Sequence, residues 1–319
     1  MTTRRTLAGS LLATPLLFSA ARAQPGWAPT RPIQLIVGFA PGGGSDIIGR
    51  SIAEAATPLF PVPLVVQNRP GAGGALAAEQ VARAAPDGHT LLLAGGSEST
   101  SIPAHREVPY DPRRSFRSII RLSRQLQFIV AKRRDGRFTD LRQVIEAARA
   151  RPEAISHASA GVGTLSHSVF ILLGRAAGVQ MLHVPFNGGG PSLQAVVAGQ
   201  VDVSVAAPEE AAGLVEGGEL RILAVAAPAR EPAYPEVPTL RELGWDVVVE
   251  NMKGWVGPAG MTEEMVAYHH DRFRQAMGAP AWRRFLDRTR EPDGYLNGAD
   301  FQRAMDDLLG SITAALRRG

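Results

Sequence analysis

A chain of 319 residues with 45% hydrophobic and 6% aromatic side chains carries ample apolar sequence for a core, and its length fits two domains or one large one. It has no cysteine, which excludes disulfides, thiol catalysis, cysteine-ligated metal and a lipidated N-terminal cysteine. The net charge of +4 suggests a basic protein only until its N-terminus is set aside.

That N-terminus, "MTTRRTLAGSLLATPLLFSAARAQ", places two arginines before an apolar stretch over 7–20 and then the small-x-small site Ala21-Arg22-Ala23. It reads as an export signal, residues 1–23, cleaved near Ala23. The apolar run is shorter than the roughly 18 to 20 residues that span a bilayer. Arg4-Arg5 leaves both the general secretory and the twin-arginine routes open. Losing three arginines and no acid from 34 basic residues leaves 31 against 30 acidic ones. No sustained basic face for nucleic acid or anionic lipid is then expected. An exported, unanchored chain belongs in the periplasm of a two-membrane bacterium.

Over 33–94 the pattern is strand (33–39), the glycine loop of "GFAPGGGSD", helix (45–56), strand (64–67), "NRPGAGG", helix (75–84), a turn at Asp87-Gly88 and strand (90–94). Continuously apolar strands alternating with helices indicate a parallel sheet covered on both faces. Next, "RRSFRSIIRLSR" over 113–124 is the one basic cluster, and it reads as a solvated helix face. A second region repeats the grammar: strand (128–131), helix (141–149), strand (155–158), "SAGVGT", helix (165–177), strand (180–184), "PFNGGG", helix (191–198) and strand (201–206). Beyond Trp255, "GPAGMT" precedes two amphipathic helices ending near Leu316, a segment expected to cross back onto the first unit. The expected fold is α/β in two lobes, each a mostly parallel sheet flanked by helices. The first lobe comprises 24–125 and 253–319, the second 126–252.

Glycines without a Cβ allow close backbone approach, and a helix N-terminus beyond them offers free N–H groups and a positive dipole end. Gly42, Gly43 and Gly44, with Pro41 before them and Ser45 after, are therefore a candidate anion site. Gly38 to Ser45 has phosphate-loop spacing, but Gly44 stands where the phosphate-binding lysine belongs, which argues against nucleotide hydrolysis. "GAGGAL" lacks the third glycine of a dinucleotide fingerprint and reads as structural. "SHASAGVGTLSHSVF" sets Ser159, Ala160, Gly161, Gly163 and Thr164 ahead of a helix carrying His167, with Thr164 as the natural N-cap. As an opposing jaw it would offer hydroxyl and N–H donors to a carboxylate. Asp46 is either a dipole complement or a partner for an amine, hydroxyl or water; Glu98, in "GGSES", is equally two-sided. Phe39 and Phe186 are either core or cleft wall. No nucleophile elbow or metal-binding spacing is present, so no cofactor, metal or catalytic residue is expected.

Several segments in order, "RPIQLIVGFAPGGGSD", "VVQNRPGAGG", "APDGHTLLL", "VPYDP", "SAGVGTLSH", "VPFNGGGPSLQAVVAGQVD", "PEVPTLRELG" and "GPAG", closely resemble the solute receptors of tripartite tricarboxylate transporters, the Bug receptor family. The resemblance implies a periplasmic, monomeric binding protein with a type II Venus-flytrap fold, which closes on a small carboxylate and delivers it to integral-membrane permease subunits. It implies ligand loops matching Phe39 to Asp46 and Ser159 to His167, where amides, hydroxyls and bridging waters grip a carboxyl group. This chain departs from the family at Ala206-Ala207-Pro208 and in the stretch after Gly96, which begins at Ser97, is one residue short and carries Glu98 and Thr100. The far end of the pocket is thus its own. Two alternatives stay open: a receptor signalling to a membrane kinase, and a secreted hydrolase using His167 with Ser159 or Ser166.

Overall fold

The structure, a computed structural model, describes residues 26–317 except Asp135. The expected leader and its cleavage site lie outside the described residues. In chain order the elements are β1 (Ile33–Val37), α1 (Gly44–Ala56), β2 (Leu64–Asn68), α2 (Ala75–Ala82), β3 (Thr90–Ala94), α3 (Ile102–His105), β4 (Phe116–Gln125), β5 (Phe128–Lys132), α4 (Leu141–Ala150), β6 (Ser156–Ser159), α5 (Leu165–Ala177), β7 (Leu182–Pro185), α6 (Gly189–Val197), β8 (Val203–Ala206), α7 (Pro208–Glu216), β9 (Leu220–Val225), β10 (Asn251–Pro258), α8 (Glu263–Met277), α9 (Pro280–Thr289), β11 (Asp293–Asn297) and α10 (Gly298–Arg317).

Two sheets form, in the orders β11-β4-β10-β3-β1-β2 and β7-β6-β8-β5-β9. Each is mixed rather than mostly parallel. In the first, β1 pairs in parallel with β2 and β3, whereas β10 runs antiparallel to β3 and β4, and β11 to β4. In the second, β6 is parallel to β7 and β8, and β5 is antiparallel to β8 and β9. The βαβ units give the parallel halves because a helix crossover returns the chain in the same direction. The antiparallel halves are built around the strands at which the chain passes between lobes, β4 into β5 and β9 towards β10, with β11 added at the edge of the first sheet.

The arginine-rich stretch over 113–124 is not a solvated helix face. It forms most of β4, between β10 and β11, with Ile119, Ile120 and Leu122 fully buried. Arginines at 113, 117 and 121 recur every four residues, a spacing that suits a helix face and one side of a strand equally. Their charges are met locally: Arg117 by Glu263, Arg121 by the Gly294 carbonyl, and Arg124 by both Glu231 and Glu250.

The first lobe packs α1, α8 and α9 on one face of its sheet, around Leu35, Ile52, Trp255, Phe273 and Trp282. Its other face takes α2 and the start of α10, around Ile36, Val81, Leu92 and Phe301. The second lobe is covered by α4 and α5 on one side and by α6 and α7 on the other. The C-terminal segment holds three helices and the strand β11, not two helices alone. Its last helix, α10, belongs to both cores: Phe301 and Met305 pack in the first lobe, Ile312 in the second. The glycine loops lie at the carboxyl ends of β1 and β7, in the crevice between the sheets.

Candidate functional site

β1 ends at Val37, and the chain turns through Gly42, at φ +80°, into α1. A side chain there would be strained, so glycine is required. The turn is braced from behind by Asp46. Its Oδ2 accepts the Gly42 N–H at 2.9 Å, and its Oδ1 accepts from Arg50 and Asn68. Burial alone would raise the Asp46 pKa, yet these hydrogen bonds outweigh it and hold the carboxyl below its usual value. Asp46 therefore positions the lip and does not line the cleft.

The opposing lip has two parts. Asn187 to Pro191 runs from β7 into α6, and Ala160 and Ser166 flank the turn into α5. Thr164 occupies the N-cap position of α5, but its hydroxyl does not cap the helix; it donates to the Gly161 carbonyl instead. The free N–H of Leu165 is taken at 3.0 Å by the hydroxyl of Ser97, from the first lobe. The reciprocal contact also exists: the Gly44 N–H, at the start of α1, donates at 3.0 Å to Oε1 of Glu210, on α7 of the second lobe. Each lobe thus satisfies an orphan helix donor of the other.

Between the lips lies a cavity of about 280 Å³. Of the residues singled out from sequence, Phe39, Pro41, Gly42, Gly43, Gly44, Ser45, Ser97, Ala160 and Ala207 line it. The others do not line it. Gly96 abuts Lys253, since a Cβ on it would meet the lysine Nζ at 2.7 Å. Glu98 is buried and accepts from the Gly96 N–H and the Ser99 hydroxyl. Gly161 and Gly163 shape the turn with positive φ. Phe186 packs, half-buried, against the second-lobe core.

Sequence reasoning missed the polar floor of the cavity: Gln125 and Gln127 at the β4–β5 crossing, Asn251 and Lys253 on β10, and Glu210. Lys253 is 3% exposed, lies over the Phe39 ring at 5.7 Å, and has no hydrogen-bond or ion-pair partner among the described residues. Burial lowers its pKa, while Glu98, Glu209, Glu210 and Glu291 pull the other way. The chain has only two lysines against 32 arginines, so a lysine in the apolar run "VVVENMKGWVG" was the available signal. Beside it, Gln125 links Glu209 and Asn251. Glu209 and Glu291 each bury an Oε2 that is unpartnered among the described residues, while Glu291 Oε1 accepts the Ser123 hydroxyl. Burial drives both pKa values up, that of Glu291 to about 7.

His167 is turned away from the cavity. Its ring stacks on His183 at 3.8 Å between centroids, and its Nδ1 accepts the Gly163 N–H. Ser159 is fully buried and pairs with His183 at 2.7 Å, not with His167; the Ser166 hydroxyl accepts the Ala160 N–H. The hydrolase alternative therefore loses its nucleophile and base pairing. Burial, followed by the neighbouring imidazoles, lowers His167 to about 4 and His157 to about 3. Among the described residues no group of histidines and carboxylates is arranged to hold a metal, and no helix is long and apolar enough to cross a membrane.

A cleft between two lobes, walled by glycine-rich loops and holding among the described residues one ammonium, that of Lys253, can hold a small anion. Comparison with known proteins agrees in kind. The model of the tripartite tricarboxylate transporter family receptor matches residues 48–310. The Cupriavidus necator protein described as "UPF0065 protein in gbd 5'region" is 33% identical over 93% of this chain and 90% of its own length. MatC from Rhodopseudomonas palustris, solved with bound malate, superposes with a TM-score of 0.82 at 29% identity, covering 90% of this chain and 99% of MatC. The periplasmic binding protein BugD gives a TM-score of 0.83 at 27% identity, covering 91% and 98%. With the fold, the cleft and matches over nearly the whole chain in accord, the chain belongs to the tripartite tricarboxylate transporter receptor family and is a solute-binding receptor.

Proposed function

We propose that the protein is a periplasmic receptor that captures a small carboxylate between its lobes and delivers it to the membrane permease of a tripartite transporter. The observation that carries this reading is the buried Lys253, unpartnered among the described residues, inside a cavity whose walls are the two glycine lips. The main-chain N–H groups of the lips that are not taken by Asp46 and Glu210, together with one ammonium, supply the donors a carboxylate needs. The lobes, 24–125 with 253–319 and 126–252, would close about the crossings near 123–127 and 250–255. Affinity comes from contacts made to both lobes only in the closed state. The malate in MatC supports the carboxylate class.

The role is binding rather than turnover. Thermal shift and calorimetry against a carboxylate panel test the proposal: at least one acid should raise the melting temperature, and Gly43→Val should abolish the effect. If no acid shifts melting and Gly43→Val changes nothing, the reading is wrong. Pull-down of permease subunits rather than a signalling kinase from membranes would separate transport from sensing.

A further inference from the structure

The anion position at the start of α1 is held by the protein's own carboxylate. Glu210 Oε1 accepts the Gly44 N–H at 3.0 Å, and a Cβ on Gly43 would lie 3.9 Å from the same oxygen. The carboxylate also presses on the other lip: a Cβ on Gly189 would meet its two oxygens at 2.5 and 2.6 Å. Glu210 therefore stands between the N-termini of α1 and α6 while rooted in the first turn of α7. Three helix N-termini, the positive ends of their dipoles, converge on it. The remaining cation of the cavity is Lys253, buried and unpartnered among the described residues.

Resting on the receptor reading above, we infer that Glu210 sets the specificity of the cleft: it fills the anion seat of the glycine lip, so the cleft prefers a compact solute with one carboxylate, held by Lys253, over a solute with a carboxylate at each end. A dicarboxylate entering this cavity would place its far carboxylate against Glu210, an acceptor facing an acceptor of the same charge. A far end that is apolar, or that donates a hydrogen bond, meets no such opposition. The cavity of about 280 Å³ suits a solute of a few carbons.

Calorimetry on the full mature chain with pairs of equal length tests this: butyrate against succinate, valerate against glutarate, hexanoate against adipate. The wild type should favour the single acid of its best-bound pair by about tenfold or more, and Glu210→Gln and Glu210→Ala should narrow or reverse that ratio. Glu210→Gln keeps the side-chain shape, so it decides the matter should the alanine variant fail to fold, as judged by circular dichroism melting. A wild type that prefers the double acid, or a ratio unchanged in both variants, overturns the assignment of Glu210 and leaves the receptor reading standing. Failure of every acid to bind all three folded proteins overturns both.

Discussion

The hydroxyl of Ser97 on the first lobe accepts the backbone N–H of Leu165, the first residue of α5 on the second, at 3.0 Å. A helix cap supplied across a cleft exists only while the lobes are together, so its energy belongs to closure. Losing a cap costs about 1 kcal/mol. Ser97→Ala should therefore weaken ligand affinity by about fivefold while leaving the melting temperature of the ligand-free protein nearly unchanged. Paired titrations and melts check this; an equal loss in both would place the cap's effect on folding instead.

Lys253 offers the largest single effect on affinity. A hydrogen bond to a charged group contributes about 1.5 to 3 kcal/mol, so Lys253→Met should reduce affinity for a bound carboxylate by about tenfold to a hundredfold. The same change removes a buried cation from beside four glutamates, and methionine fills similar space. Melting should be affected less than binding, and calorimetry with parallel melts separates the two.

Gly44 is closely enclosed. A Cβ there would meet Gln125 Nε2 at 2.7 Å and clash with Glu209, both of which face it across the lobe boundary or at its hinge. Gly44→Val should hold the lobes apart. Small-angle scattering should then report a larger radius of gyration than wild type in saturating ligand, with affinity lowered by about tenfold or more.

Two sets of buried groups bias stability oppositely with pH. Burial lifts Glu291 from 4.5 to about 7 against the pull of Ser123, Glu209, Lys253 and Arg124. The folded protein thus binds the extra proton over that window, and this contribution, complete below 4.5, is lost as pH rises through 7. His167 and His157, depressed to about 4 and 3 from 6.5, do the reverse: their contribution is present above 6.5 and lost as pH falls through those values. Glu291→Gln should flatten the fall in melting temperature between 4.5 and 7 and expose the acid-labile slope; His157→Phe should reduce that slope. Melts across this range, at constant ionic strength, read both.

Much of the architecture was legible because periodicity and punctuation agreed. The strand at Thr90–Ala94 and the helix at Leu165–Ala177 fall at the expected residues, bounded by glycines and by a threonine in extended backbone. β4 was hidden because arginines every four residues satisfy a helix and a strand alike, and only the partners Glu263, Glu231 and Glu250, far away in sequence, decide between them. The mixed character of the sheets was hidden for a related reason, since strand direction depends on where the crossing segments enter. At the cleft, the glycine lips announce themselves through composition. Gln125 and Glu210 do not, because each is a single polar residue whose role arises from non-local packing, and Lys253 is marked only by the rarity of lysine in the chain. Thr164 shows the converse: a correct N-cap position whose hydroxyl does not cap, while the first helical N–H, that of Leu165, is taken by Ser97 from 68 residues earlier.

The account rests on a small acid clasped between the lips with its carboxylate against Lys253, and a crystal structure of the complex with the tightest-binding acid tests that most directly. We predict a carboxylate oxygen within hydrogen-bond distance of Lys253 Nζ, flanked by Gly42 to Gly44 on one side and Ala160 and Ser166 on the other. A guest bound outside this cavity, or inside it with its carboxylate turned away from Lys253, would contradict the account.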